Sequence, residues 1–118
     1  MTRNRKLANE IREWLLDHDM WIDTTIYFDG VAYSTDDREG HYYYNDREHL
    51  VELKDQDPRD DFEDVADPHI LSMSFEGPLY DILNYGPWDL EDEFRNIFKK
   101  YGAYFDLGNA WNLSCYKN

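Results

Sequence analysis

Residues 20–35 most constrain what this chain can fold into. Trp21, Ile22, Thr24, Thr25, Ile26, Tyr27 and Phe28 are mostly β-branched or aromatic, the types that suit a pleated, half-buried strand. Asp29-Gly30 follows, two positions tolerant of positive φ, as a two-residue hairpin turn requires. Val31 to Thr35 then returns as the partner strand. Asp36-Asp37-Arg38-Glu39-Gly40 reads as a second polar turn, and His41-Tyr42-Tyr43-Tyr44 as a third strand, which predicts an antiparallel meander.

The polar stretch 45–68 is less decisive. His49 to Leu53 fits either a short strand or a helical turn. Asp57-Pro58 has the residues of a helix start, Asp as N-cap and Pro at the first helical position, so a short acidic helix is predicted from about Arg59 to Val65. Residues 69–76 alternate Ile70, Leu71, Met73 and Phe75 with Ser72 and Ser74, a further strand. Residues 103–107 and 110–116 form a second predicted hairpin, turning at Gly108-Asn109.

Three helical segments complete the pattern. Residues 5–18 place Leu7, Ile11, Trp14 and Leu15 on one stripe, with Glu10, Arg12, Glu13 and Asp17 off it. The basic start, Arg3 to Lys6, opposes the helix dipole, so these residues either meet acids elsewhere or are solvated. Gly77-Pro78 opens a short helix carrying Leu79, Ile82 and Leu83, ended near Gly86. In the third, Leu90, Phe94, Ile97, Phe98 and Tyr101 share a face. Asp89, Glu91, Asp92 and Glu93 open it and Lys99-Lys100 close it, both favourable to the dipole, before Gly102 as a natural stop. The expectation is one α+β domain over residues 1–118, an antiparallel sheet of hairpins with an N-terminal helix and further helices packed on it.

At 118 residues the chain is the size of one ordinary domain, and 42% hydrophobic content fills one core. A single cysteine, Cys115, rules out an internal disulfide and gives no sign of an oxidising compartment. Glu10, Arg12, Glu13, Asp17 and Asp19 interrupt what would otherwise be an apolar leader after the basic N-terminus, and no run is long enough to span a bilayer. A cytoplasmic monomer is expected, since high net charge disfavours self-association.

Catalytic signatures are missing. The six glycines are scattered singly, with no phosphate-binding loop and no Gly-x-Ser-x-Gly elbow. Cys115 falls in a predicted terminal strand, where a buried apolar role is expected. His18, His41, His49 and His69 lack zinc-ligand spacing. Aligning Asp55 with the first position of a calcium loop puts Asp57 third, but Arg59 fifth, Asp60 where Gly is needed and Ala66 where Glu is needed. No enzyme activity, cofactor or metal is expected.

Charge carries the functional expectation. Twelve Lys and Arg face 26 Asp and Glu, a net charge of -14. Between Asp36 and Asp67 there are thirteen acids and four bases, a local excess of nine. Such a field repels nucleic acid and anionic membranes and attracts basic partners. Solubility alone is one reading of it. The other is a partner with Lys and Arg arrays built for phosphates, which carboxylates on a folded frame can occupy. The expected partner-binding residues are Asp36, Asp37, Glu39, Asp46, Glu48, Asp55, Asp57, Asp60, Asp61, Glu63 and Asp64, with Tyr42 and Tyr44. Tyr33, Tyr43, Phe62 and Tyr85 are further candidate aromatic anchors.

Size, acidity and aromatic content together resemble the small DNA-mimic proteins of phages and mobile elements, of the anti-restriction and anti-CRISPR type. The stretch Val65 to Tyr80 is similar to small proteins of plasmids and conjugative elements. The resemblance implies an inhibitor that occupies the nucleic-acid-binding surface of a basic protein, a nuclease or nucleoid protein. Two alternatives share the composition: an immunity protein that neutralises a nuclease toxin, and an acidic protein with a composite metal or small-molecule site, for instance at His69 and neighbouring acids.

Overall fold

The structure, a computed structural model, describes every residue of the chain except Asp64. Helix α1 spans Arg3–Asp17, and the Thr2 hydroxyl caps it by accepting from the Arg5 amide at 3.1 Å. Strands β1 (Thr24–Phe28) and β2 (Val31–Ser34) follow, then β3 (Val51–Lys54) and β4 (Leu71–Phe75). Helices α2 (Pro78–Tyr85) and α3 (Trp88–Lys99) lead into β5 (Ala103–Asn109) and β6 (Asn112–Lys117). The six strands form one antiparallel sheet in the order β3-β2-β1-β4-β6-β5. This is the α+β architecture expected from the hairpin and helix signals.

The β1–β2 turn forms as read, with Asp29 at φ 50° and Gly30 at 79°, so both central residues take the left-handed backbone whose twist suits a two-residue hairpin. Three helices pack on one face of the sheet. Leu7, Ile11 and Leu15 of α1, Leu79 of α2, and Phe94 and Phe98 of α3 meet Ile26, Met73, Phe75 and Leu113 in the main core. Cys115 lies in β6 within that core, and burial pushes its thiol up to about 12. The basic start of α1 finds partners across the chain: Arg5 pairs with Glu52 of β3 at 2.6 Å, and Arg3 donates to the Tyr101 carbonyl.

Three local expectations are corrected. His41–Tyr44 is not a strand: Tyr42 makes one isolated bridge to Asp36, and the third strand of the meander is Val51–Lys54. The cause is local polar chemistry. Asp36 accepts from the Arg38 amide, Asp37 from the Glu39 and His41 amides, and Asp46 from the Glu48 amide. These side chains give the backbone an alternative to the ladder. Arg38, Gly40 and Asn45 at positive φ complete a loop, not an extended run.

The acidic helix shrinks to a single 3₁₀ turn, Pro58–Asp60. Its start is as predicted, Asp57 accepting from the Arg59 amide at 2.9 Å. Phe62 then dives onto Tyr27, Ala32 and Trp111, and a segment anchored by one ring has no apolar stripe to support further turns. The second hairpin turns at Ala110-Trp111, two residues later than expected. Gly108 instead sits at a register irregularity inside β5, and the Asn109 side chain accepts from the Trp111 amide.

Candidate functional site

The face of the sheet turned away from the helices is polar by construction. Antiparallel partners project to the same side, so register aligns Ser34, Thr25, Ser74 and Asn112 in one row across four strands. The next row is Ala32, Tyr27, Ser72 and Ser114, with the Ser72 and Ser114 hydroxyls 2.9 Å apart and buried. That second row is roofed at its Ala32 and Tyr27 end by Phe62 and Val65, on the strap of chain that follows the 3₁₀ turn. Phe62 packs edge-on to Tyr27 at 6.0 Å and to Trp111 at 5.8 Å.

Beside this strap a cavity of about 440 Å³ opens over Thr25, Ser34 and Ser74. Asp36, Arg38 and Tyr42 reach it from the loop after β2, and Asp61 from the strap. Asp23 and Glu76 reach it from the ends of neighbouring strands, held together where the Glu76 amide donates to the Asp23 carbonyl at 3.1 Å. Trp111 closes the remaining side. Four carboxylates therefore face one guanidinium.

The polar contacts within this wall are unequal. The Tyr27 hydroxyl donates to Asp61, and Arg38 stands 3.6 Å from the same carboxylate and 3.4 Å from the hydroxyl. Burial raises the Asp61 carboxyl above its ordinary value. Tyr44 lies behind the wall, ring against Tyr42, and donates to Asp23. That hydrogen bond pushes the Tyr44 hydroxyl up to about 12. One Asp36 oxygen accepts from the Arg38 amide at 2.7 Å, and Glu76 has no side-chain partner among the described residues.

The expected partner-binding residues do not form one surface. Asp36, Asp61 and Tyr42 line the cavity, with Tyr44 adjoining it. Asp37 and Asp46 are loop anchors. Hydrogen bonds from the Glu39 and His41 amides and the His41 ring hold Asp37 below the usual carboxylate range. At Asp46, bonds from His49 and the Glu48 amide outweigh the opposing effect of burial. Asp55 and Asp57 lie at the opposite end of the β1–β2 hairpin, where the Gln56 amide donates to the Gly30 carbonyl. Glu39, Glu48, Asp55, Asp60 and Glu63 are exposed, and their side chains have no hydrogen-bonded or ionic partner among the described residues. Asp64 lies outside the described residues. Of the further aromatic candidates, Tyr85 is exposed, Tyr43 stacks on His49 at 5.0 Å, and Tyr33 and Phe62 belong to the packed interior.

Acids also line a groove between α1 and α3, where Glu10, Glu13, Asp17 and Glu93 surround Trp14. Much of the positive charge is consumed within the chain: Arg47 ties the loop to Glu13 and Asp17, Arg59 holds Asp67, and Lys100 meets Glu10 at 2.6 Å. His69 stands 3.3 Å from Asp67, and no three His, Cys, Asp or Glu side chains converge as metal ligands among the described residues. Sequence reasoning missed Asp23, Glu76, Tyr27 and Trp111. The alternating serines of Leu71–Phe75 were the available signal, because they mark a strand whose second face is polar.

Comparison of the chain with protein-family models, curated proteins and solved structures returned no match. No helix among the described residues is long and apolar enough to cross a membrane.

Proposed function

We propose that this protein acts by binding and not by catalysis, as a cytoplasmic monomer that occupies the nucleic-acid-binding surface of a basic protein. The observation that carries the reading is the polar sheet face: a concave site rimmed by four carboxylates and one guanidinium, with the unpaired acids Asp60 and Glu63 on the strap beside it. Exposed carboxylates at this density repel one another, and a partner that brings cations relieves that repulsion. The exposed ring of Tyr42 beside them supplies contact area at low entropy cost.

The test is a tagged pull-down from bacterial lysate at low and then high salt, followed by displacement of labelled duplex DNA from the captured protein. The expected result is a basic DNA-binding protein that releases its DNA when this chain is added. Salt and the paired reversals Asp60→Lys and Glu63→Lys should both weaken that effect. Capture that is indifferent to salt and to the reversals, or that leaves DNA binding intact, refutes the reading.

A further inference from the structure

We propose that the corner between α2 and α3 is an aromatic docking surface for an arginine-bearing face of the basic partner. The inference rests on the reading above and adds a second area of contact, on the helix layer. Tyr85 is 73% exposed and Trp88 63%, which makes them the two most exposed aromatic residues of the chain. The other three tryptophans are buried or half-buried. Two large rings left in water beside one another forgo the stability that burial gives, and Trp and Tyr are the side chains that most often anchor protein interfaces.

The rings are held in place by their surroundings. Gly86, between them, has φ 85°, and a Cβ there would come within 3.2 Å of the Trp88 amide nitrogen and 3.5 Å of the indole. Glycine therefore lets the indole lie against the turn. On the other side the Tyr80 ring meets Tyr85 edge-on at 6.2 Å. The Asn84 side chain donates to the Tyr80 and Ala110 carbonyls, each at 2.9 Å, which pins the end of α2 to the β5–β6 turn. A contact surface ordered before binding loses less entropy in the complex.

Charge decides the occupant. Asp81 lies one helical turn before Tyr85 and Asp92 one turn after Trp88, with Asp89 next to the indole in the chain. All three are exposed, and none has a cationic partner among the described residues. Arg95, the nearest cation along α3, is committed to Glu91 at 3.2 Å and to the Phe105 ring. A ring with a carboxylate one turn away suits a guanidinium, which stacks on the ring and hydrogen-bonds the acid. A second copy of the chain would bring another net charge of -14, and an anionic lipid surface is repelled in the same way.

The corner also continues into the polar sheet face. Ala110, held by Asn84, precedes Trp111, which closes one side of the cavity over Thr25, Ser34 and Ser74. A partner that meets the carboxylates of that face reaches Tyr85 and Trp88 by following the β5–β6 turn, so the two areas serve one interface.

The test is an NMR titration of the intact protein with the peptide acetyl-Ala-Arg-Ala-Arg-Ala-amide, following the Trp88 indole N–H and the backbone amides around it, with the glutamine counterpart in parallel. Saturable shifts centred on Tyr85 and Trp88 are expected with the arginine peptide and none with glutamine. Trp88→Ala and Tyr85→Ala should each weaken binding about two- to fivefold, the scale of an exposed cation–π contact, while Trp88→Phe keeps most of it. Asp81→Asn combined with Asp92→Asn should weaken it by about the same factor. All four positions are exposed, so unfolding midpoints should stay close to wild type and separate lost contact from lost fold. Shifts spread evenly over the acidic surface, or unchanged affinity in both ring-to-alanine variants, would overturn the proposal. Concentration-dependent indole shifts without peptide would assign the corner to a second copy, and a blue shift of tryptophan emission on phosphatidylcholine vesicles would assign it to a membrane; either overturns it too. Failure of the titration while the pull-down still captures a salt-sensitive basic protein refutes the docking surface and leaves the wider reading standing. Binding at the corner without such a capture refutes the wider reading instead.

Discussion

Gly77→Ala is the substitution whose effect the structure specifies most closely. Gly77 precedes α2 at φ -96°, so it is not a left-handed backbone that calls for glycine here. Space does. A Cβ at this position would lie 2.4 Å from the Ile22 carbonyl oxygen and 3.1 Å from its carbon, roughly 1 Å inside ordinary contact. The carbonyl cannot retreat freely, because it accepts from the Thr24 hydroxyl at 2.8 Å and follows Trp21, which is in the core. Overpacking of this kind costs about 1–3 kcal/mol. Alanine at a helix N-cap adds about 1 kcal/mol, giving about 2–4 kcal/mol in all. With an unfolding entropy near 2.1 cal/mol/K per residue, a chain of 118 residues should lose about 8–16 °C in Tm. Thermal and urea unfolding followed by fluorescence of the four tryptophans reads this directly. Glu76→Ala, an exposed neighbour, serves as the control and should stay within about 0.5 kcal/mol of wild type. A Gly77→Ala midpoint within about 2 °C of wild type would show that the two strand ends part at little cost, and the packing argument would fail.

Three further outcomes follow from particular contacts. Phe62→Ala should cost about 3 kcal/mol, the low end for a buried ring because the strap can detach locally, and amide exchange over residues 58–66 should accelerate; unchanged exchange there would mean the ring does not hold the strap. Cys115, buried and with its thiol raised to about 12, should ignore a thiol reagent in the native state at pH 8 and react on unfolding, whereas rapid native labelling would contradict its place in the core. Hydrogen bonding from Arg5 holds the Glu52 carboxyl below its ordinary value of 4.5, so this carboxylate contributes stability that is present above that value and lost as pH falls through the lowered folded-state value. Wild type should therefore exceed Glu52→Gln in stability at pH 7, and the gap should close on acidification; a gap that is constant with pH would remove the ion pair from the account.

The arginines show how a chain this acidic holds its loops. Arg5 joins α1 to β3, and Arg47 joins the loop after β2 to the end of α1. Arg59 fastens one end of the strap to the other through Asp67. Each pair is partly exposed and contributes little stability alone. Together they direct the few cations to internal partners, which leaves the loop tips Glu39 and Glu48 and the strap acids Asp60 and Glu63 facing solvent without matching charge.

Features set by neighbours in the chain were legible from the sequence. The Asp29-Gly30 turn, the capped start at Asp57-Pro58, the stripe of Phe94, Ile97 and Phe98, and the apolar/serine alternation of Leu71–Phe75 all follow from local sterics and periodicity. The misreadings arose where side chains bonded their own backbone or reached a distant partner. Asp36, Asp37 and Asp46 turned a tyrosine-rich run into a loop, and Phe62 stopped a helix by packing on Tyr27 and Trp111. Strand order and the site belong to tertiary structure alone. Asp23, Asp36, Asp61 and Glu76 are up to 53 positions apart, and it takes the pairing of β1 with both β2 and β4, together with Phe62 seating the strap on Tyr27, to bring them round one cavity. Composition determined that the surface is acidic. Which acids are left unpaired, and which surround a space large enough to hold a ligand, was decided by where the sheet places them and where the arginines are used.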